Sequence, residues 1–162
     1  MVRQFEPGIA FVTNRIGEIM TSTSGFELLA GPSGVLDGDR PNLVRYVFVD
    51  ERAHSVFPDW GSFADELAFD LWTGHSPAFT EALTAEAGDE LARRLNGNKV
   101  PARRELRWMH PEVGLLNLNR EVLELPAADD QQLVVLLPAD EATSDAVQRL
   151  RTTSTHPLRA VN

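Results

Sequence analysis

The clearest pattern of hydrophobic and polar positions in this chain follows Asp59. Apolar residues recur there at intervals of three and four, which is the spacing of one face of an α-helix; they are Trp60, Phe63, Ala64, Leu67, Ala68, Leu71 and Trp72. The pattern predicts an amphipathic helix, and core packing alone explains most of its apolar face. Asp65, Glu66 and Asp70 fall between these positions. We expect them on the solvent side, where a solvated acidic face explains them better than acid–base catalysis.

Strand-like patterns lie near both ends of the chain. Residues 9–13 and 18–21 are β-prone and flank a polar break with a glycine, which is typical of a hairpin; a loose N-terminal arm is the alternative. Residues 106–110 alternate, and residues 116–125 continue as a long strand. Its apolar phase changes between Leu118 and Leu123, which indicates a bulge or a bend in the sheet. The wholly apolar residues 133–137 are typical of a central strand covered on both faces.

Capping residues and glycines predict further helices. Ser22, Thr23 and Ser24 precede a short helix, Pro77 begins another, and residues 89–95 form a third that ends in a left-handed terminus at residues 96–98. Residues 140–151 form a polar C-terminal helix, followed by a frayed end. The segment 42–49 stays open, because its apolar spacing fits a helix whereas its Val and Tyr content favours a strand.

Together these elements predict an α+β fold. One sheet takes a hairpin from each end of the chain, and helices pack on one of its faces. The helices between the two groups of strands can enclose a cavity against the sheet, where small apolar ligands usually bind.

The composition indicates one globular domain. The chain has 162 residues, of which 43% are hydrophobic and 24% charged, enough for a single core. Its net charge of −9 disfavours nucleic-acid binding by this chain alone, since phosphates need a basic face. It has no cysteine, no signal peptide and no apolar run near the ~20 residues of a membrane helix. We therefore expect a cytoplasmic domain without disulfides.

Motifs for catalysis or metal binding are absent from the sequence. No phosphate-binding loop or dinucleotide fingerprint occurs. Residues 74–77, GHSP, lack the second glycine of a nucleophile elbow. The four histidines have no second ligand at three or four residues' distance, so solvated or capping roles are expected for them. The sequence therefore predicts no enzyme, no cofactor and no metal.

Several blocks of the sequence carry a resemblance to a known family. Residues 41–50 read PNLVRYVFVD, and Arg52-Ala53 and then FPDW at 57–60 follow them. A second block runs from HPEVG at 110–114 to EVLELP at 121–126, and QLVV at 132–135 comes next. With NRIGEI at 14–19, these blocks resemble the MmyB-like transcription regulator ligand-binding domain, from about residue 8 to residue 151.

The resemblance implies a PAS-like domain, with an antiparallel sheet of about five strands and a pocket under its helices. In that family the domain usually follows a helix-turn-helix domain of the Xre type, in regulators found chiefly in actinobacteria, and a fatty acid has been seen in one member. It favours the helix for residues 42–49. We accordingly expect residues 1–162 to form one ligand-binding domain, with DNA contacted only through a helix-turn-helix domain that this chain lacks.

The expected site combines helix periodicity, strand alternation and this resemblance. An apolar cavity is predicted to be lined by Trp60, Phe63, Leu67, Trp108 and Leu116, with Phe48 and Met20 nearby. Arg45, in the matched motif, is the candidate for holding an acidic headgroup; the alternative is a surface pair with Asp50 or Glu51. The expected ligand is small and apolar or amphipathic, like a fatty acid.

Other functions are also compatible with the sequence. A structural or dimerising domain would have a filled core and no ligand, and small α+β sheets also host enzymes. We expect a homodimer, formed through the C-terminal helix or the exposed sheet. We expect no membrane partner.

Overall fold

A computed structural model describes residues 1–74, 76–97, 100–103, 105–128 and 130–155. Its strands form one five-stranded sheet in the order β2-β1-β5-β4-β3, with antiparallel pairing throughout. The strands are β1 (Ile9–Asn14), β2 (Ile19–Ser22), β3 (Leu106–His110), β4 (Gly114–Glu124) and β5 (Gln131–Pro138). The hairpin β1–β2 and the central position of β5 confirm the sequence predictions, but β5 is not covered on both faces along its whole length, since Leu137 is 48% exposed.

The helices occupy the chain between β2 and β3 and its end. They are α1 (Ser24–Ala30), α2 (Leu43–Val49), α3 (Ala53–Val56), α4 (Trp60–Thr73), α5 (Pro77–Ala87), α6 (Asp89–Asn96) and α7 (Glu141–Thr155). Two short 3₁₀ turns lie at Val2–Phe5 and Gly31–Ser33. The predicted α+β, PAS-like architecture is confirmed. Helix α7 continues into the predicted frayed end, of which residues 156–162 lie outside the described part.

The inner face of the sheet carries the main core. Its buried strand residues pack against α1–α4 and α7, and they include Phe11, Trp108, Leu116, Leu118, Val134 and Leu136. Helices α5 and α6 lie in a second layer, where Leu83 and Leu91 pack against Ala68 and Leu71 of α4. On the outer face, Val2 covers a small patch of β1 and β5. Helix α4 is therefore covered on two sides, by the sheet and by other helices.

The change of apolar phase in β4 does not come from a bulge. Pairing of β4 with β5 runs without a register shift from Leu118 to Glu124. The inward positions of β4 are Leu118, Arg120 and Val122, so Leu123 lies on the outer face. The apolar phase changes along the sequence because the inward position 120 carries a charged residue. Of the two predicted explanations, a bulge or a bend in the sheet, the bulge was wrong. A register shift lies instead between β1 and β2, where Met20 is the extra residue.

Residues 43–49 form a helix because Asn42 caps it. The Asn42 side chain accepts a hydrogen bond from the Arg45 N–H at 2.9 Å and donates one to the Ile16 carbonyl at 2.9 Å. This single side chain therefore begins α2 and ties it to the β1–β2 turn. The predicted left-handed end of α6 was wrong, since Gly97 has φ −72°; residue 98 lies outside the described part.

Candidate ligand-binding site

A cavity of about 320 Å³ lies between the inner face of the sheet and helices α2 and α4. Its apolar wall is formed by Phe11, Leu43, Val44, Leu67, Leu71 and Val134. A larger groove of about 910 Å³ lies on the opposite side of α4, towards α6, and includes the exposed Trp72 and Val100. We take the smaller cavity as the candidate site, because it lies between the sheet and α4, where the sequence predicts a pocket, and because its lining combines an apolar wall with polar side chains from β1, β4, β5 and α4.

The polar side of this cavity is built around Arg120. Its side chain is 8% exposed. Its Nη1 donates to Glu66 Oε2 at 3.3 Å, and its Nη2 donates to Asp70 Oδ2 at 3.2 Å. The guanidinium also lies 5.8 Å from the centre of the Phe63 ring. Asp70 accepts a further hydrogen bond from Arg103 at 3.0 Å. A buried cation thus joins β4 to α4 through two carboxylates.

The expectation that Glu66 and Asp70 lie on the solvent side was wrong. The Glu66 side chain is only 7% exposed and the Asp70 side chain 29%, and both are bonded to Arg120. Phe63, Glu66 and Asp70 are spaced by three and four residues, so they share the face of α4 that turns to the sheet. A carboxylate is stable at a core position there because Arg120 lies opposite it. Asp65 is exposed as expected, and it pairs with Arg94 at 2.9 Å.

The structure separates the predicted cavity residues into different groups. Leu67 lines the cavity. Trp108 and Leu116 are paired in register on β3 and β4 and are fully buried. Phe63 and Trp108 both contact Phe57, each with ring centres 4.9 Å apart. This end of the space between sheet and helix is filled by side chains.

Three other predicted residues lie away from the cavity. Trp60 donates from Nε1 to the Val47 carbonyl at 2.8 Å, and its ring lies 6.0 Å from that of Phe48. Both rings therefore pack among α2, α3 and the start of α4. Met20 is 54% exposed at the bulge in β2.

Arg45 lies on the surface of α2. Its side chain is 48% exposed, and Nη2 lies 3.2 Å from Glu86 on α5. Asp50 pairs with Arg52 at 2.7 Å and not with Arg45. Arg45 does not line the cavity either. The Arg52 side chain donates to Asp50 and holds the pKa of this carboxyl below its usual value.

Arg120 and Asp70 are site residues that the sequence reasoning missed. One signal was available: Leu116, Leu118 and Val122 define the inward phase of β4, and period two places residue 120 on the same face. Arg120 nevertheless received no role in the sequence predictions. Two further polar residues line the cavity: Thr13 on β1 belongs to no motif, and Gln132 on β5 begins the matched QLVV block without having been singled out as a site residue.

The motif histidine has a structural role. His110 is 1% exposed; its Nδ1 accepts a hydrogen bond from the Glu112 N–H at 3.1 Å, and its Nε2 lies 3.1 Å from the Leu28 carbonyl. It therefore ties the β3–β4 turn to α1 and is not solvated. His54 stacks on Trp60 with ring centres 4.4 Å apart. His75, within the GHSP segment, and His156 lie outside the described residues.

Among the described residues, no group of three or more His, Asp or Glu side chains could hold a metal ion. The same ranges contain no helix long and apolar enough to span a bilayer.

Comparison with known families provides the assignment. The sequence model of the MmyB-like transcription regulator ligand binding domain matches residues 1–150, which is most of the chain. No curated protein matches the sequence. The chain therefore belongs to the family of MmyB-like transcription regulator ligand binding domains.

Proposed function

We propose that this domain senses a small amphipathic effector for a transcription regulator and binds it in the cavity between the sheet and α4. The observation that carries the proposal is the cavity itself, whose lining combines apolar side chains with polar ones and with the buried guanidinium of Arg120. A molecule with an apolar body and a polar end, of which a fatty acid is one example, is complementary to such a lining.

The volume limits the size of this effector. At about 320 Å³, the cavity lies at the lower end of the ~300–1,000 Å³ range of ligand pockets. A medium-chain molecule fits this range better than a long lipid. In this proposal the domain acts in the cytoplasm and catalyses no reaction, and DNA is bound by a helix-turn-helix domain outside this chain.

Narrowing the cavity is expected to abolish the response to such ligands. Saturating methyl octanoate should raise the melting temperature of the wild-type chain by roughly 5–10 °C, since binding at 100 times Kd adds about 2.7 kcal/mol. Leu67→Phe should lose this shift, because the larger ring occupies the cavity. Differential scanning fluorimetry measures both.

The matched control is Trp72→Phe, in the groove on the other side of α4, which should keep the full shift. Equal shifts in the wild type and Leu67→Phe would place the ligand elsewhere. Native mass spectrometry of the purified chain is an independent check for a co-purified amphipathic molecule.

A second role, dimerisation, is favoured by the outer face of the sheet. Met109 and Leu115 are paired across β3 and β4 on this face and are 42% and 37% exposed. Leu137 on β5 is 48% exposed. An exposed apolar face of this kind suits a two-fold contact with a second copy.

Leu115→Glu is therefore expected to shift the chain from dimer to monomer, because it places a charge in the middle of that contact. Light scattering at high micromolar concentration measures the mass. Val100→Glu, at an exposed position off the sheet, is the control and should remain dimeric. A monomeric wild type at this concentration would contradict the role.

A further inference from the structure

The geometry points to Arg120 as the anchor of the effector's polar end, where its guanidinium takes an oxygen acceptor, either a carboxylate or a neutral carbonyl. This inference rests on the function proposed above and adds to it the residue and the ligand chemistry. It replaces Arg45, which is held at the surface by Glu86.

Arg120 retains unused hydrogen-bonding capacity. An arginine has five N–H donors, and the structure shows one bond from Nη1 to Glu66 and one from Nη2 to Asp70. Nε is buried and has no hydrogen-bond partner among the described residues. Arg120 contacts each of these carboxylates through a single nitrogen at 3.2–3.3 Å, so neither contact has the bidentate geometry that saturates a guanidinium.

Position and burial make these donors suitable for a ligand. Arg120 lines the cavity together with Leu67 and Val134, so an apolar tail can pack on those side chains while the polar end reaches the guanidinium. The Arg120 side chain is more than nine-tenths buried. A charge-assisted hydrogen bond is stronger in such surroundings than in water.

The other cations near the cavity are poorer anchors. Arg15, which also lines it, pairs with Asp130, and its side chain is 49% exposed. Arg103 is 54% exposed and is bonded to Asp70. Among the described residues that line the cavity, Arg120 is the buried cation.

Binding at Arg120 also has a consequence for α4. The same guanidinium joins β4 to Glu66 and Asp70 on this helix. A ligand acceptor that binds the unused donors also draws on the positive charge that attracts these carboxylates, so the hold of the sheet on α4 weakens when the site is filled. Ligand binding thereby loosens the attachment of α4 to the sheet, and α4 in turn contacts α2 and α6.

Two probes with the same eight-carbon tail, octanoic acid and methyl octanoate, distinguish the possible acceptors; octylammonium, a cation without an acceptor, is the negative control and should bind more weakly than either. Isothermal titration calorimetry on the whole chain gives each Kd for the wild type and for Arg120→Lys. Lysine keeps the positive charge beside Glu66 and Asp70 but lacks Nε–H and the planar fork. We expect Kd for the acid, the ester or both to rise about tenfold or more, the equivalent of ~1.5 kcal/mol or more for a hydrogen bond to a charged group.

Arg107→Lys, which alters a surface pair with Asp59, is the matched control and should bind as the wild type does. Asp70→Asn should tighten binding of the acid, since it removes a competing negative charge without changing the size of the side chain. Circular dichroism melting verifies that each variant is folded.

The outcomes separate this inference from the function on which it rests. A loss confined to the acid identifies a carboxylate ligand, and a loss confined to the ester identifies a neutral carbonyl. Unchanged acid and ester binding in both Arg120→Lys and Asp70→Asn, with binding still lost in Leu67→Phe, would overturn the anchor alone. No binding of any probe by the wild type would overturn both proposals.

Discussion

Replacing Glu66 by alanine is expected to lower the free energy of unfolding by about 3–5 kcal/mol. The reason is that Arg120, whose side chain is 8% exposed, loses one of its two carboxylates. A buried charge without its partner costs far more than an exposed pair contributes. Urea denaturation followed by circular dichroism measures this difference.

Two further variants make the test of Glu66 specific. Asp65→Ala removes the neighbouring exposed carboxylate on the same helix, which pairs with Arg94, and should cost only ~0–1 kcal/mol. The double variant Glu66→Leu with Arg120→Met should be less destabilised than Glu66→Ala, because no uncompensated charge remains. Equal losses for Glu66→Ala and Asp65→Ala would show that the buried ion pair is not a special element of stability.

Phe57→Ala is expected to destabilise the domain by about 3–5 kcal/mol. Phe57 is 0% exposed. Its ring contacts those of Tyr46, Phe63 and Trp108, with centres 6.3, 4.9 and 4.9 Å apart. Removing it leaves a cavity where helices α2 and α4 meet β3, and the surrounding rings cannot close the space without losing their own contacts.

The matched control for Phe57 is Trp72→Ala. Trp72 is a larger aromatic residue but is 53% exposed near the end of α4, so its loss should change stability by roughly 0.5 kcal/mol or less. Thermal melting compares the two variants directly. A loss for Phe57→Ala no larger than that for Trp72→Ala would contradict the central packing role of Phe57.

The family motif is largely explained by these structural roles. Asn42 caps α2, Phe57 fills the core and Trp60 donates a hydrogen bond to the Val47 carbonyl. None of these three residues lines the cavity. The motif accounts for the shape of the helices, and the ligand contacts stay a prediction. Arg45 also belongs to the motif, and it lies at the surface beside Glu86.

The sequence by itself determined the local elements. The apolar spacing of α4, the β1–β2 hairpin and the alternation in β3 depend on neighbours within a few residues, and the structure contains all of them. Periodicity identifies an apolar face, because it reports the angle between successive side chains. The resemblance decided residues 42–49, where composition and spacing disagreed.

Only the tertiary structure decided which partner each face meets. Helix α4 lies between the sheet and α5–α6, so its residues have two different buried environments that one period cannot distinguish. Trp60 and Phe63 both follow the apolar pattern, yet one packs near α3 and the other under β4. Glu66 and Arg120 are both buried because each compensates the charge of the other, although they are 54 residues apart in the chain. Such a pair is invisible to local patterns, because the burial of each charge depends on a partner that only folding brings close.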